Sequence, residues 1–156
     1  MAKQSAGILL YRFVDGEPEV LLVHPGGPFW RKKDLNAWSI PKGEIEKDEL
    51  PEQTAVREFK EETGADISLD KAVKLPEIIQ KGGKKVYAWA VEGNLDPNSI
   101  KSNLFDLEWP PKSGQIQQFP EIDKAAWFDL PTAKEKMLES QQPLLEYLEK
   151  IIQTKN

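Results

Sequence analysis

The feature that most constrains this chain is the run Pro51-Glu52-Gln53-Thr54-Ala55-Val56-Arg57-Glu58-Phe59-Lys60-Glu61-Glu62-Thr63-Gly64. It has the punctuation of a helix over 51–63. Proline suits the first turn, where its missing N–H would have no partner anyway. Glycine suits the left-handed residue that ends the last turn. At about 100° per residue, Glu58, Glu61 and Glu62 share an arc of roughly 100°, and Ala55, Phe59 and Val56 form the adjacent apolar stripe. The helix therefore buries one face and carries three carboxylates beside it. Such a cluster is locally unfavourable. Glu58 and Glu62 are a like-charge i,i+4 pair, and Glu61 and Glu62 lie near the negative end of the helix dipole. If half-buried, each pair repels by roughly 3 kcal/mol at about 6 Å and an effective dielectric of about 20. A hard divalent cation with oxygen ligands removes that cost. Mg2+ fits, with Mn2+ as a substitute; zinc would want nitrogen or sulfur. The competing reading of the cluster alone is a solvated surface.

Charge sharpens the picture. Residues 44–62 hold eight acids (Glu44, Glu46, Asp48, Glu49, Glu52, Glu58, Glu61, Glu62) and three bases (Lys47, Arg57, Lys60). The chain's net charge of −5 resides there, and the other residues carry 18 of each sign. A broad basic face for nucleic acid is not expected. The absence of cysteine excludes disulfides and thiolate chemistry, and a single histidine argues against a zinc site or a histidine triad. No apolar run is long enough to span a bilayer, and no signal-peptide anatomy precedes the first strand. A cytoplasmic protein of one domain over 1–156 is expected.

Strands are expected over 6–14, 19–24, 74–80, 86–91 and 125–129. A long loop over 25–37 carries Gly26-Gly27-Pro28 and the basic run Arg31-Lys32-Lys33. A loop of that length is usually functional or mobile. A short apolar segment, 38–41, ends at Pro41. Residues 94–118 read as a polar, proline-bearing insertion around Trp109. Pro131 opens a helix, and a C-terminal helix is expected over 141–153, with Leu144, Leu145, Leu148, Ile151 and Ile152 on one stripe.

Residues 43–65 read Gly43, five residues, Glu49, seven residues, then Arg57-Glu58-Phe59-x-Glu61-Glu62-x-Gly64-Ala65. This resembles the Nudix box, the signature of the Nudix hydrolases. Phe59 and the small Ala65 are unusual in its two hydrophobic slots. The lead-in Trp38-Ser39-Ile40-Pro41-Lys42-Gly43 is similar to the diadenosine tetraphosphate hydrolase-like branch. The resemblance implies an α/β fold, an α/β/α sandwich with a mixed sheet. It also implies metal-dependent hydrolysis of a nucleoside diphosphate linked to another group. Glu58, Glu61 and Glu62 would then bind magnesium, with the Gly43 carbonyl completing the shell. A backbone approaches a metal closely where no Cβ intrudes.

Other roles follow by the same resemblance. Arg57 projects about 100° from Glu58, off the metal face, and a Glu49–Arg57 pair would clamp the loop to the helix. The general base would be Glu58 or a later loop glutamate, which Glu121 resembles. Lys42 is placed to bind phosphate. Trp109 with Lys112 could stack on a base or pack inward, and Trp30 and Trp38 share that ambiguity. His24 reads as structural.

The expected partner is a small nucleotide, a nucleoside or dinucleoside polyphosphate, for a monomer or homodimer without a stable nucleic-acid partner. The alternative is a catalytically silent Nudix-fold nucleotide-binding or sensor module. Such domains usually lose box glutamates, whereas all three stand here. An isomerase on the same fold would typically use cysteine. An EF-hand would need Asp-x-Asp-x-Asp-Gly spacing, which is missing.

Overall fold

The first strand is apolar at almost every position, which suits a strand covered on both faces. In the computed structural model, which describes residues 3–155, it is the centre of the sheet. Among the described residues, nine strands and three α-helices follow one another. They are β1 (Gln4–Val14), β2 (Glu17–Pro25), β3 (Lys42–Glu44), α1 (Pro51–Thr63), β4 (Val73–Lys74), β5 (Ile78–Gln80), β6 (Lys84–Glu92), β7 (Leu104–Glu108), β8 (Ile116–Pro120), β9 (Ile122–Asp129), α2 (Leu130–Lys136) and α3 (Pro143–Lys155). The main sheet runs β4-β6-β1-β2-β9, with β3 on β1 and β5 on β6. β1 and β6 are parallel and the other pairs antiparallel, so the sheet is mixed.

Alternation along the central strands divides the core in two. Ala6, Ile8 and Leu10 of β1 join Leu21, Trp89 and Val91 beneath Ala55 and Phe59 of α1. Leu9 and Tyr11 join Val20, Leu22, Ala88 and Ala90 on the opposite face. There Leu130 and Ala133 of α2 and Leu144, Leu145 and Leu148 of α3 cover them. Helix, sheet and helix thus form the expected three layers. α1 has the expected bounds. Its terminal Gly64 is left-handed (φ 82°) and donates its N–H to the Lys60 carbonyl (2.7 Å).

Four expectations change. Residues 74–80 are two strands rather than one, because Pro76 has no N–H for the ladder and Leu75 turns inward while bonding the Ala88 carbonyl (2.9 Å). The C-terminal helix begins at Pro143, after a 3-10 turn at Glu139–Gln141. Gln141 is held out of the helix by its amide, which accepts from the Ile40 N–H (3.1 Å) and donates to Ser39 Oγ (3.0 Å). Val56 is only half-buried; Thr54 and Thr63 take up the buried positions. The insertion at 94–118 contains a hairpin, with β7 and β8 forming a sheet of their own. No described helix is long and apolar enough to cross a membrane.

Gly7 shows how tightly the site is set into this frame. It pairs with Lys42 across β1 and β3, and a Cβ there would fall on the Pro41 carbonyl and the Lys42 side chain. Gly7→Ala should therefore cost about 2 kcal/mol, as overpacking does, read as a lower urea midpoint at unchanged slope.

Candidate active site

α1 is anchored to the loop before it by one arginine. Arg57 Nε and Nη2 donate to Glu49 Oε2 (2.8 Å) and Oε1 (3.0 Å), and Nη2 also reaches the Glu44 carbonyl (3.1 Å). Thr54 Oγ1 donates to the same Glu49 carboxylate (2.6 Å). The Glu49–Arg57 pairing is as expected, but the direction of Arg57 is not. Its Nη1 lies between two α1 carboxylates, 2.8 Å from Glu58 Oε1 and 2.9 Å from Glu61 Oε2. A helical wheel locates Cβ directions; the long side chain curls back past its own. All five guanidinium N–H groups thereby find acceptors.

The far end of α1 is tied down from outside. The Lys101 N–H donates to the Thr63 carbonyl and the Asn103 N–H to the Glu61 carbonyl, both 2.9 Å. These are helix-terminal carbonyls with no partner inside the helix. The Asn103 carbonyl accepts from the Glu121 N–H (2.8 Å), and the Glu121 carbonyl from the Gly26 N–H (2.9 Å). One chain of backbone bonds therefore links α1, Glu121 and the loop after β2.

Glu62 is only 9% exposed and shares a pocket of about 250 Å³ with Lys42, Glu121, Trp30, Ser39 and Ile122. Burial, then the charges of Glu58 and Glu121, push its carboxyl up to about 9, against the opposing Lys42. Burial and the neighbouring Glu61 push Glu58 to about 7, although Arg57 opposes them. Glu121 is raised by burial and by Glu61. Burial lowers the Lys42 ammonium. Glu49 moves the other way, to about 2, because Arg57 donates to it.

The donor set suits a hard cation: oxygens alone, crowded and partly desolvated, short of positive charge. Gly43 lies directly beneath Glu58, where a Cβ would fall on the carboxylate. Among the described residues, however, no three His, Asp or Glu side chains converge as they stand into a metal-holding group. Arg57 Nη1 engages one oxygen each of Glu58 and Glu61 and leaves the other oxygen of each carboxylate available to a cation.

The structure brings Lys42, Glu62 and Glu121 into one pocket, with Glu58, Glu61 and Gly43 adjoining. It does not bring Trp38 there. Trp38 is 4% exposed, donates from Nε1 to Asp34 (3.0 Å) and packs edge-on against His24 and Phe128. Its expected substrate contact is therefore corrected to a core role. Trp109 and Lys112 lie outside the pocket lining; Trp109 is half-buried against Phe29, and Lys112 is exposed. His24 is fully buried, with its ring nitrogens 2.8 Å from Asp123 Oδ1 and 2.6 Å from the Lys33 carbonyl, a structural role as expected. Ser39 and Ile122 were not legible as pocket residues, since nothing in their local pattern points to a cavity.

The chain matches the NUDIX domain family over residues 1–148. It is 30% identical over 115 residues to an RNA pyrophosphohydrolase of Gluconacetobacter diazotrophicus, covering 71% of this chain and 65% of that protein. It is 27% identical over 125 residues to an 8-oxo-(d)GTP phosphatase of Mycolicibacterium smegmatis, covering 74% and 37%. The chain spans less than two thirds of the length of the curated relatives it matches. Its fold is similar to that of a C. elegans Ap4A hydrolase, with a TM-score of 0.67, 22% identity and coverage of 98% and 99%.

These charges set a pH dependence for the metal-free protein. Glu58 and Glu62 hold protons more tightly folded than unfolded. Their contribution to stability is full below the ordinary value of 4.5 and is lost as pH rises through about 7 and about 9. Glu49 contributes above 4.5 and loses that contribution as pH falls toward 2. In chelator, the thermal midpoint should therefore peak near pH 5 and decline toward pH 9. Glu62→Gln should flatten the alkaline limb, as followed by calorimetry across that range.

Proposed function

The chain belongs to the NUDIX domain family, and from that premise we propose that it hydrolyses a pyrophosphate bond in a nucleoside diphosphate linked to another group. The cation would be Mg2+, with Mn2+ able to replace it. The observation that carries this reading is the crowding of Glu58, Glu62 and Glu121 beside Lys42, with two of the carboxyls driven far above their ordinary range. Solvated surface glutamates would have no reason to shift in this way. The relatives' names support the class: an RNA pyrophosphohydrolase and an 8-oxo-(d)GTP phosphatase both act on nucleotide phosphates.

Glu58, Glu61, Glu62 and the Gly43 carbonyl would hold the cation. When bound, it neutralises phosphate charge and opens phosphorus to attack. The remaining work falls to the chain. The Lys42 ammonium holds a phosphate oxygen at the pocket floor. A carboxylate, Glu121 or Glu58, takes a proton from water as its oxygen attacks phosphorus in line and the anhydride P–O bond breaks. Glu121, which is not among the residues that would hold the cation, is shifted upward by burial and by Glu61, which strengthens it as a base. Arg57 and Glu49 position the glutamates without touching substrate.

The test is a screen of nucleoside triphosphates, dinucleoside polyphosphates, nucleotide sugars and diphosphoinositol phosphates with Mg2+. Turnover on one class should fall about 100-fold or more in Glu61→Gln and Glu62→Gln. Of Glu58→Gln and Glu121→Gln, the variant that removes the acidic limb of the kcat profile identifies the base. Absence of cation-dependent turnover on every class would favour the silent binding module.

A further inference from the structure

We propose that His24 and Asp123 are positioning residues for the reaction: together they staple a bulge in β9 that turns the Glu121 carboxylate into the pocket. The inference rests on the hydrolase reading, in which Glu121 is a candidate base.

The bulge shows in the strand register. His24 pairs with Lys124 but Pro25 pairs with Ile122, so Asp123 is an extra residue on β9. Pro25 has no N–H to give the ladder, and proline within a sheet is confined to edges, strand starts and such bulges. Pairing resumes one step on, where the Gly26 N–H donates to the Glu121 carbonyl (2.9 Å). In an unbroken strand, successive side chains point to opposite faces. Here two in a row share one face. Lys124 Nζ lies 5.5 Å from the centroid of the Trp38 ring, and Asp123 reaches His24, whose ring packs 5.1 Å from the same indole. The extra residue therefore reverses the alternation of the residues before it. With it, Glu121 lines the pocket within the field of Glu61 and Glu62, and Ile122 is 7% exposed. Without it, Glu121 and Ile122 would trade faces.

The staple is a fully buried imidazole with an acceptor at each nitrogen. Nε2 lies 2.6 Å from the Lys33 carbonyl, which can only accept, so Nε2 donates. Nδ1 lies 2.8 Å from Asp123 Oδ1, so a second proton is shared between ring and carboxyl. A charge-assisted bond of this kind is roughly twice as strong as a neutral one. The Lys33 N–H in turn donates to the carbonyl of Trp30 (3.0 Å), which lines the pocket with Glu121. One imidazole thus ties together two segments of the pocket wall. Neither His24 nor Asp123 lines the pocket, so their effect on the chemistry passes through the residues they hold.

The experiment compares Asp123→Ala with the wild-type protein on the substrate class that the Mg2+ screen identifies. The kcat should fall on the order of 10- to 100-fold with KM changed by less than about twofold, as a displacement of about 1 Å at a reacting group does. In the metal-free protein the Gly26 amide should lose hydrogen-exchange protection, while the Ile8 amide, bonded to the Pro41 carbonyl (3.1 Å), keeps it. A merely destabilised protein would lose both together. Deleting Asp123 should abolish turnover, and adding Glu121→Ile and Ile122→Glu to the deletion should return part of it, because the swap puts a carboxylate back on the pocket face. An unchanged kcat in Asp123→Ala, equal losses of protection at Gly26 and Ile8, or a folded swapped deletion no more active than the plain one would overturn the proposal. Asp123→Ala decides alone should the deletions not fold. A wild-type protein without turnover would overturn the hydrolase reading instead, and the Gly26 amide would then decide whether the pair holds the bulge.

Discussion

The candidate site depends on the saturation of one guanidinium. Arg57 divides its five donors among the Glu49 carboxylate, the Glu44 carbonyl, Glu58 and Glu61. Its bidentate grip on Glu49 is a strong, planar hydrogen-bonded pair that a lysine cannot reproduce. Through Glu44 it also holds β3 and so the approach to Gly43. The same side chain offsets part of the repulsion between Glu58 and Glu61. Arg57 thus acts both as a tether between loop and helix and as an internal counter-charge for the carboxylates it aligns.

That counter-charge is incomplete, and the shortfall shapes the site. Arg57 reaches Glu58 and Glu61; Glu62, the most buried of the three, faces Lys42 instead. Desolvation outweighs the attraction of Lys42 and pushes the Glu62 carboxyl up to about 9. Glu121 enters the same field from another part of the chain, carried there by the backbone bonds through Asn103 and Gly26. The hairpin that follows Asn103 is therefore part of the frame that sets the distance between α1 and the pocket's opposite wall.

Much of this was legible because the signals were local. Pro51 and Gly64 bound α1, the 3.6-residue period aligned Glu58, Glu61 and Glu62, and the box spacing paired Glu49 with Arg57. What local pattern could not supply was the course of long side chains and the pairing of distant segments. The wheel sent Arg57 away from Glu58, because it describes where a side chain starts and not where its charge ends. Trp38 looked like a substrate contact beside the box, but Asp34, His24 and Phe128 enclose it. Residues 94–118 read as an insertion because Trp109, Pro110, Pro111 and Gly114 mask the short alternation of β7 and β8.

By itself, the sequence determined the layered α/β class, the extent of the box helix and the identity of the acidic cluster. The helix and the cluster follow from periodicity and end-capping, which act over a few residues and need no distant partner, whereas the layered class was what the resemblance of residues 43–65 to the Nudix box implied. The tertiary structure alone decided which carboxylate is buried and that Lys42 and Glu121 face it. It also decided that Phe29 meets Trp109 and that Arg57 turns back to its own helix. Those outcomes depend on desolvation and on contacts between segments far apart in the chain, and both exist only once the sheet has brought them together.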